Sequence, residues 1–96
     1  MLTHIVFYRL RDKSQESLDN LKALFMNMQG RIEQLKSVEV GIDVLHSERS
    51  YDLALVTKFD SLDALKAYKA HPEHGKISDY VHSVWLESAS VDYYTE

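Results

Sequence analysis

The order in which two hydrophobic periodicities follow one another constrains the fold of this chain more than any other feature. Four segments have the β-branched, aromatic and alternating composition of strands: residues 3–10, 38–45, 51–59 and 88–94. Between the first and second segments, and again between the third and fourth, apolar residues recur every three or four positions, which is the period of a helix. The chain therefore predicts the element order β-α-β-β-α-β.

Helix start and stop signals agree with this order. Ser14 is a suitable N-cap for a first helix of about twenty residues, which Gly30 weakens or bends near its end. Ser61 caps a second helix, which should end just before His71 because Pro72 disfavours helical geometry in the residue that precedes it. Proline is favoured at the first position of a helix, so Pro72 is predicted to begin a further helical segment.

This element order is the split βαβ arrangement of a ferredoxin-like α+β domain with a four-stranded antiparallel sheet. The helices cover one face of such a sheet, and the other face would carry either Ile5 and Phe7 or their neighbours of opposite parity, together with apolar residues of the third strand. An apolar face of that size is unusual on a monomer. We therefore expect residues 1–96 to be a single domain that forms a homodimer through its sheet faces, giving a dimeric α/β barrel.

Composition excludes several classes of partner. The chain of 96 residues has a formal net charge of −4 with scattered Lys and Arg, so neither nucleic acid nor an anionic membrane is an expected partner. No apolar run approaches the ~18 residues needed to span a bilayer. The absence of Cys excludes a thiolate nucleophile and fits the cytoplasmic location that we expect.

The stretch "AYKAHPEHGK" around the single proline offers a pair of groups for proton transfer. His74 can accept a proton at neutral pH, and the Tyr68 hydroxyl can donate to a carbonyl oxygen that gains charge. Amides at the start of the following helix would disfavour the protonated form of His74. The alternative is that His71 and His74 only cap helix ends and complete hydrogen bonds.

The first strand contributes two further candidates for the same site. His4 shares a strand face with Val6 and Tyr8, and Tyr8 is a candidate ligand contact. If this face looks towards the helices, His4 can bind a carbonyl or orient His74. If it looks across the dimer, His4 is an interface residue. The spacing of the His and Asp residues after Pro72 does not match a zinc site, so we expect neither a metal nor a cofactor.

Several motifs resemble one known family. The chain is similar to the stress-responsive A/B barrel domains, called Dabb domains, in "HIVFYRLRD", "VEVGIDV", "RSYDLALVTKFDSLDALKAY" and "HPEH" followed by "DYVHSVW". The order and spacing of these pieces carry the resemblance, which covers nearly the whole chain. It implies a dimeric α+β barrel, whereas most members of the family have no established reaction.

A distant resemblance to polyketide cyclases of the olivetolic acid cyclase type implies residue roles. These enzymes use the motif Tyr-x-x-His-Pro-x-His for an aldol condensation without cofactor. The match places their tyrosine on Tyr68, their catalytic histidine on His74 and a further pocket histidine on His4. Leu53 stands where the cyclases carry a polar histidine, which predicts a less polar ligand pocket here.

Three functions are compatible with these features. The first is a homodimeric Dabb-domain protein that binds a small carbonyl-containing or aromatic metabolite and, in its fullest form, converts it without cofactor. The second is a stress-response dimer without turnover. The third is a cofactor-independent monooxygenase of the dimeric barrel type.

Overall fold

A computed structural model describes residues 1–95 and confirms the ferredoxin-like order. Its elements are β1 (Leu2–Leu10), α1 (Gln15–Met26), β2 (Ser37–Ile42), β3 (Leu53–Phe59), α2 (Leu62–Ala70), α3 (Pro72–Val84) and β4 (Trp85–Tyr94). The strands form one antiparallel sheet in the order β2-β3-β1-β4. Across residues 1–95, no helix combines the length and apolar character that crossing a membrane requires.

Strand β1 lies between β3 and β4. Its side chains point alternately to the core under the helices and to the open face of the sheet. Val6 is opposite Leu55 of β3, and Leu55 is in turn opposite Val40 of β2, so one buried row crosses the sheet below the helices. On β4 the same row ends in Ser90, which is exposed. The helix side of the sheet is therefore apolar in its centre and polar at the β4 edge.

The opposite face of the sheet is apolar and uncovered in the single chain. Phe7, Val91 and Tyr93 are 38%, 48% and 44% exposed. The register places further small or apolar side chains beside them on the same face: Ile5, Ala54, Val56 and Ala89. This face has a depression of about 460 Å³ next to Phe7. It forms because the paired residues Gly41 and Ala54 are too small to fill the space.

Helix α1 is shorter than predicted, because the chain leaves the helix at Met26. Gly30 has a φ of 84°, and the segment around it is a series of turns with bonds such as Arg31 N–H to the Met28 carbonyl. A left-handed backbone conformation interrupts a right-handed helix. Met28 and Ile32 are nevertheless buried, because the turns preserve the spacing of the apolar stripe.

The prediction that the second strand extends to residue 45 was wrong. Strand β2 ends at Ile42, and Val44 and Leu45 are 89% and 75% exposed. The Asp43 carboxylate accepts a hydrogen bond from the backbone N–H of His46, which turns the chain away from the sheet. The antiparallel hairpin between β2 and β3 is confirmed, with a longer connection than predicted.

Trp85 begins β4, three residues before the start predicted for the last strand. Its backbone is extended, with φ −88° and ψ 153°, and its N–H donates to the Val81 carbonyl as the helix ends. Opposite Leu10 the register with β1 shifts by a bulge. The indole of Trp85 therefore lines a cleft between α3 and the sheet, which is described below.

His71 ends one helix and begins the next. Its backbone N–H donates to the Tyr68 carbonyl, and its Nδ1 accepts from the backbone N–H of Glu73 at 3.1 Å. Its backbone is extended, and Pro72 is the first residue of α3. The interpretation of His71 as a capping residue is therefore confirmed, and the chain changes direction between Tyr68 and His74.

Replacing His71 tests the strength of this cap. His71→Ala leaves the Glu73 N–H without its acceptor and should lower the free energy of unfolding by about 1 kcal/mol, measured by urea denaturation. His71→Asn supplies a short side-chain acceptor and should retain most of the stability. Equal stability of the native and His71→Ala proteins would show that the side chain contributes nothing.

Candidate functional site

A cleft of about 240 Å³ lies between the helices and the β4 side of the sheet. His4, Val6 and Tyr8 of β1 form its floor. The end of α2 and the inner side of α3 form the opposite wall, and Ser88 and Ser90 of β4 lie at its open edge. The cleft exists because no helix covers the serines of this edge strand.

Tyr68 and His74 both line this cleft and are in contact. Their ring centroids are 4.6 Å apart in an edge-on arrangement, and the Tyr68 ring also packs against Phe59 at 4.8 Å. The extended backbone at His71 brings the end of α2 and the first turn of α3 together at this point. The two side chains are thus close enough to act on one ligand, and their chemical roles stay predictions.

The Tyr68 hydroxyl has only a weak internal acceptor. The side chain is 2% exposed, and the hydroxyl donates to the thioether sulfur of Met28 at 3.5 Å. Burial raises the pKa of Tyr68, and the nearby Tyr8 raises it further. Tyr68 therefore keeps its proton at neutral pH, and a ligand oxygen would be a better acceptor than the sulfur.

The environment of His74 favours the neutral imidazole. Burial lowers the pKa of His74; a hydrogen bond to the Lys69 backbone opposes this, and the charges of Lys69 and His4 lower the pKa further. A neutral imidazole keeps a lone pair on one of its two nitrogens, as a base requires.

His4 faces the helices, which resolves the two orientations left open by the sequence. It is 7% exposed and lines the cleft, and its Nδ1 is hydrogen-bonded to the carboxylate of Asp92, its direct neighbour on β4. Because a carboxylate accepts, Nδ1 carries the proton, and Nε2 keeps a lone pair whenever the ring is neutral. Asp92 thus sets the tautomer and the orientation of His4.

Tyr8 lines the cleft, whereas Leu53 does not. The Tyr8 ring stacks on Phe25 with centroids 5.6 Å apart, and burial raises the pKa of Tyr8 to about 12. Leu53 is opposite Tyr8 in the sheet and is 2% exposed, and the β3 side chain that lines the cleft is Leu55. Leu53 lies two residues before Leu55, at the start of the strand, and belongs to the core.

Sequence analysis missed the contribution of β4 to the site. Asp92, Ser88 and Ser90 share the polar face of an alternating segment, and that alternation was visible in "SASVDYY". Their position beside His4 depends on the register between the first and last strands, which the alternation does not specify. His82 was also missed; its ring is 5.0 Å from that of Trp85 at the cleft.

The lining of the cleft mixes apolar and polar side chains. Within residues 1–95, no three His, Asp or Glu side chains converge as metal ligands would. Hydroxyl, imidazole and ammonium groups alternate in the lining with aliphatic and aromatic side chains. The lining is thus more polar than that of most small-molecule sites, whose walls are predominantly apolar.

This fold and cleft define a ferredoxin-like α+β domain, and the chain belongs to the stress-responsive A/B barrel (Dabb) domain family, whose model matches residues 2–95. An uncharacterized protein of Streptomyces coelicolor is 31% identical in an alignment of 77 residues that covers 77% of this chain and 79% of that protein. A dimeric ferredoxin-like protein of unknown function from Bacteroides fragilis is 30% identical, with a TM-score of 0.79 over 96% of this chain and 93% of that one. A hydroxynitrile lyase from Passiflora edulis has the same fold, with a TM-score of 0.84 at 20% identity over 96% of this chain and 90% of that one.

The tautomer of His4 is open to direct measurement. In the native protein, long-range ¹H–¹⁵N spectra should show a protonated Nδ1 and a bare Nε2, because Asp92 accepts from Nδ1. Asp92→Asn replaces one carboxylate oxygen by a donor and should shift the ring towards the other tautomer, while the cross-peaks of His46, an exposed residue of the β2–β3 turn, stay unchanged. An unchanged His4 pattern in Asp92→Asn would contradict the assigned role of Asp92.

Proposed function

We propose that this protein is a homodimer that binds a small carbonyl-containing or aromatic metabolite in the cleft and removes a proton next to its carbonyl group. The observation that carries this proposal is the contact between Tyr68 and His74, 4.6 Å between ring centroids, in one partly apolar cleft. The Dabb family itself assigns no reaction. The chemistry therefore follows from the side chains.

The proposed reaction is a proton transfer that needs no cofactor. His74 takes the proton as the carbon–hydrogen bond breaks, and the electron pair of that bond moves to the carbonyl oxygen, giving an enolate. The Tyr68 hydroxyl leaves the Met28 sulfur and donates to that oxygen as its charge grows. His4 offers the bare Nε2 to a hydroxyl group of the ligand, since Asp92 holds its other nitrogen.

Hydrogen–deuterium exchange tests this chemistry without knowledge of the natural substrate. The native protein should accelerate deuterium incorporation into the methyl group of acetophenone or 4-acetylbenzoate in D₂O, followed by ¹H NMR. His74→Gln should remove the protein-dependent rate, and Tyr68→Phe should reduce it roughly 100-fold, the cost of losing one donor to an oxyanion. The matched control His46→Gln removes an exposed imidazole far from the cleft and should leave the rate unchanged.

The pH profile of this exchange has an expected sign. The active form of His74 is neutral, so the rate should fall as pH decreases through the His74 pKa. Because burial lowers that pKa, the midpoint should lie below about 6.5, the ordinary value for histidine. A native rate no higher than that of His74→Gln at any pH would contradict a catalytic role.

The burial of Tyr68 favours a second candidate function, a dimer that catalyses no reaction. Such a dimer either binds a ligand without converting it or binds none. A side chain that is 2% exposed and bonded to Met28 also serves the core. Ring signals of His74 and His4 that shift with ketones, without exchange, would indicate a binding protein. If no compound shifts these signals, the stress-response dimer without a ligand is the better account.

The homodimer is proposed to form through the open face of the sheet. Phe7, Val91 and Tyr93 are all more than a third exposed there, and the similar protein from Bacteroides fragilis is dimeric. A second copy would cover this apolar face, with the hydrophobic effect as the driving force.

Phe7→Glu places a charge in the centre of the proposed interface and should reduce the mass measured by light scattering from two chains to one. Leu62→Glu introduces the same charge at an exposed apolar residue of α2 and should leave the mass unchanged. Circular dichroism checks that Phe7→Glu remains folded. A native mass of one chain would contradict the dimer.

A further inference from the structure

The polar side chains that line the cleft share one property: each can donate a hydrogen bond, and none carries a negative charge at neutral pH. Lys69 supplies an ammonium group, Tyr8 and Tyr68 supply hydroxyls, and serine and histidine side chains complete the set. No carboxylate is among the described lining residues, although the chain has 15 Asp and Glu against 11 Lys and Arg. Asp92 lies behind His4, is hydrogen-bonded to it, and does not line the cleft.

Lys69 is the cation at the mouth of this cleft. It follows Tyr68 in the last turn of α2, and its charge acts on His74. Among residues 1–95, its ammonium group has no carboxylate partner, whereas Lys13, Lys36 and Lys76 are each paired with one. The cation is thus available to a charged group of a ligand.

Tyr8 supplies a second available donor, deeper in the cleft. Its ring is held by stacking on Phe25, and within residues 1–95 its hydroxyl has no hydrogen-bond partner. Burial raises the pKa of Tyr8 to about 12, so the hydroxyl keeps its proton. An acceptor atom of a ligand would complete this hydrogen bond.

We propose that the ligand of the cleft is a small organic anion, an aromatic or unsaturated carboxylate, whose charged group is held by Lys69 at the mouth, while the carbonyl oxygen at its other end accepts from the Tyr8 hydroxyl as well as from that of Tyr68. This inference rests on the proposed ligand site and narrows its substrate class. At about 240 Å³ the cleft is smaller than the sites of drug-sized ligands, which suits a single ring with short substituents.

A matched pair of compounds tests the charge: 4-acetylbenzoate and its neutral counterpart 4-acetylbenzamide, titrated at pH 7.5 with the His74 and His4 ring signals as the readout. The native protein should bind the carboxylate about tenfold more tightly than the amide, as expected for a hydrogen-bonded charge. Lys69→Gln should remove this difference by weakening the carboxylate alone, and Lys69→Arg should retain it. Added salt should weaken only the carboxylate.

Lys66→Gln is the matched control, because it removes an exposed charge from the same helix outside the cleft. It should change neither affinity. Tyr8→Phe keeps the ring on Phe25 and should weaken 4-acetylbenzoate, which has a ketone oxygen, more than benzoate, which has none.

Each outcome separates this inference from the proposed function. If acid and amide bind equally to the native protein, or if Lys69→Gln weakens both alike, the anionic substrate class is wrong and the ligand site stands. If neither compound shifts the ring signals of His74 and His4, the ligand site itself fails, and the inference fails with it.

Discussion

The hydrogen bonding of β1 to a neighbour on each side is the constraint on which the rest of the structure depends. β3 pairs with one edge of β1 and β4 with the other, so its register determines which side chains share a surface. His4 and Tyr8 then face the helices, and Phe7 faces the open side. A slip by one residue would exchange these two sets. The buried Thr57 hydroxyl, which donates to the His4 carbonyl, adds a side-chain bond to this register.

The break between α2 and α3 shapes the cleft above the sheet, because the two helix ends that meet there form one of its walls. A continuous helix would carry Tyr68 and His74 on the same rod, six residues apart and on different sides. Pro72 prevents that geometry, and His71 supplies a bond to each of the two helix ends. The same two residues that interrupt the helix therefore bring the phenol and the imidazole into contact.

The sequence was informative wherever a local pattern determines structure. Periodicity predicted the element order, Pro72 predicted the helix break, and the stretch around it offered Tyr68 and His74 as a candidate pair whose contact the sequence left open. The predicted end of α1 was wrong because the turns around Gly30 keep the apolar spacing of a helix without its backbone conformation. The contact between Asp92 and His4 was not predicted, because the two residues are 88 positions apart and only the register between β1 and β4 brings them together.

Leu53 and Met28 were also beyond what local patterns predict. The match to a family motif gave the position of Leu53 along its strand but not its surroundings. Leu53 lies in the core, and Leu55, two residues later, lines the cleft. Met28 belongs to the turns after α1, and its contact with Tyr68 arises from the packing of three segments that local patterns do not describe.

The choice of partners for Tyr68 and His74 bears on whether the cleft is a site or only a packing defect. A tyrosine that served the core alone would gain most from a carbonyl or carboxylate acceptor, yet the Tyr68 hydroxyl meets a thioether, among the weakest acceptors in proteins. The surroundings of His74 favour the neutral ring, which keeps one nitrogen lone pair. In the reaction proposed above, a ligand oxygen replaces the Met28 sulfur as the acceptor of the Tyr68 hydroxyl while His74 takes a proton, so both groups would act on one ligand at the same time.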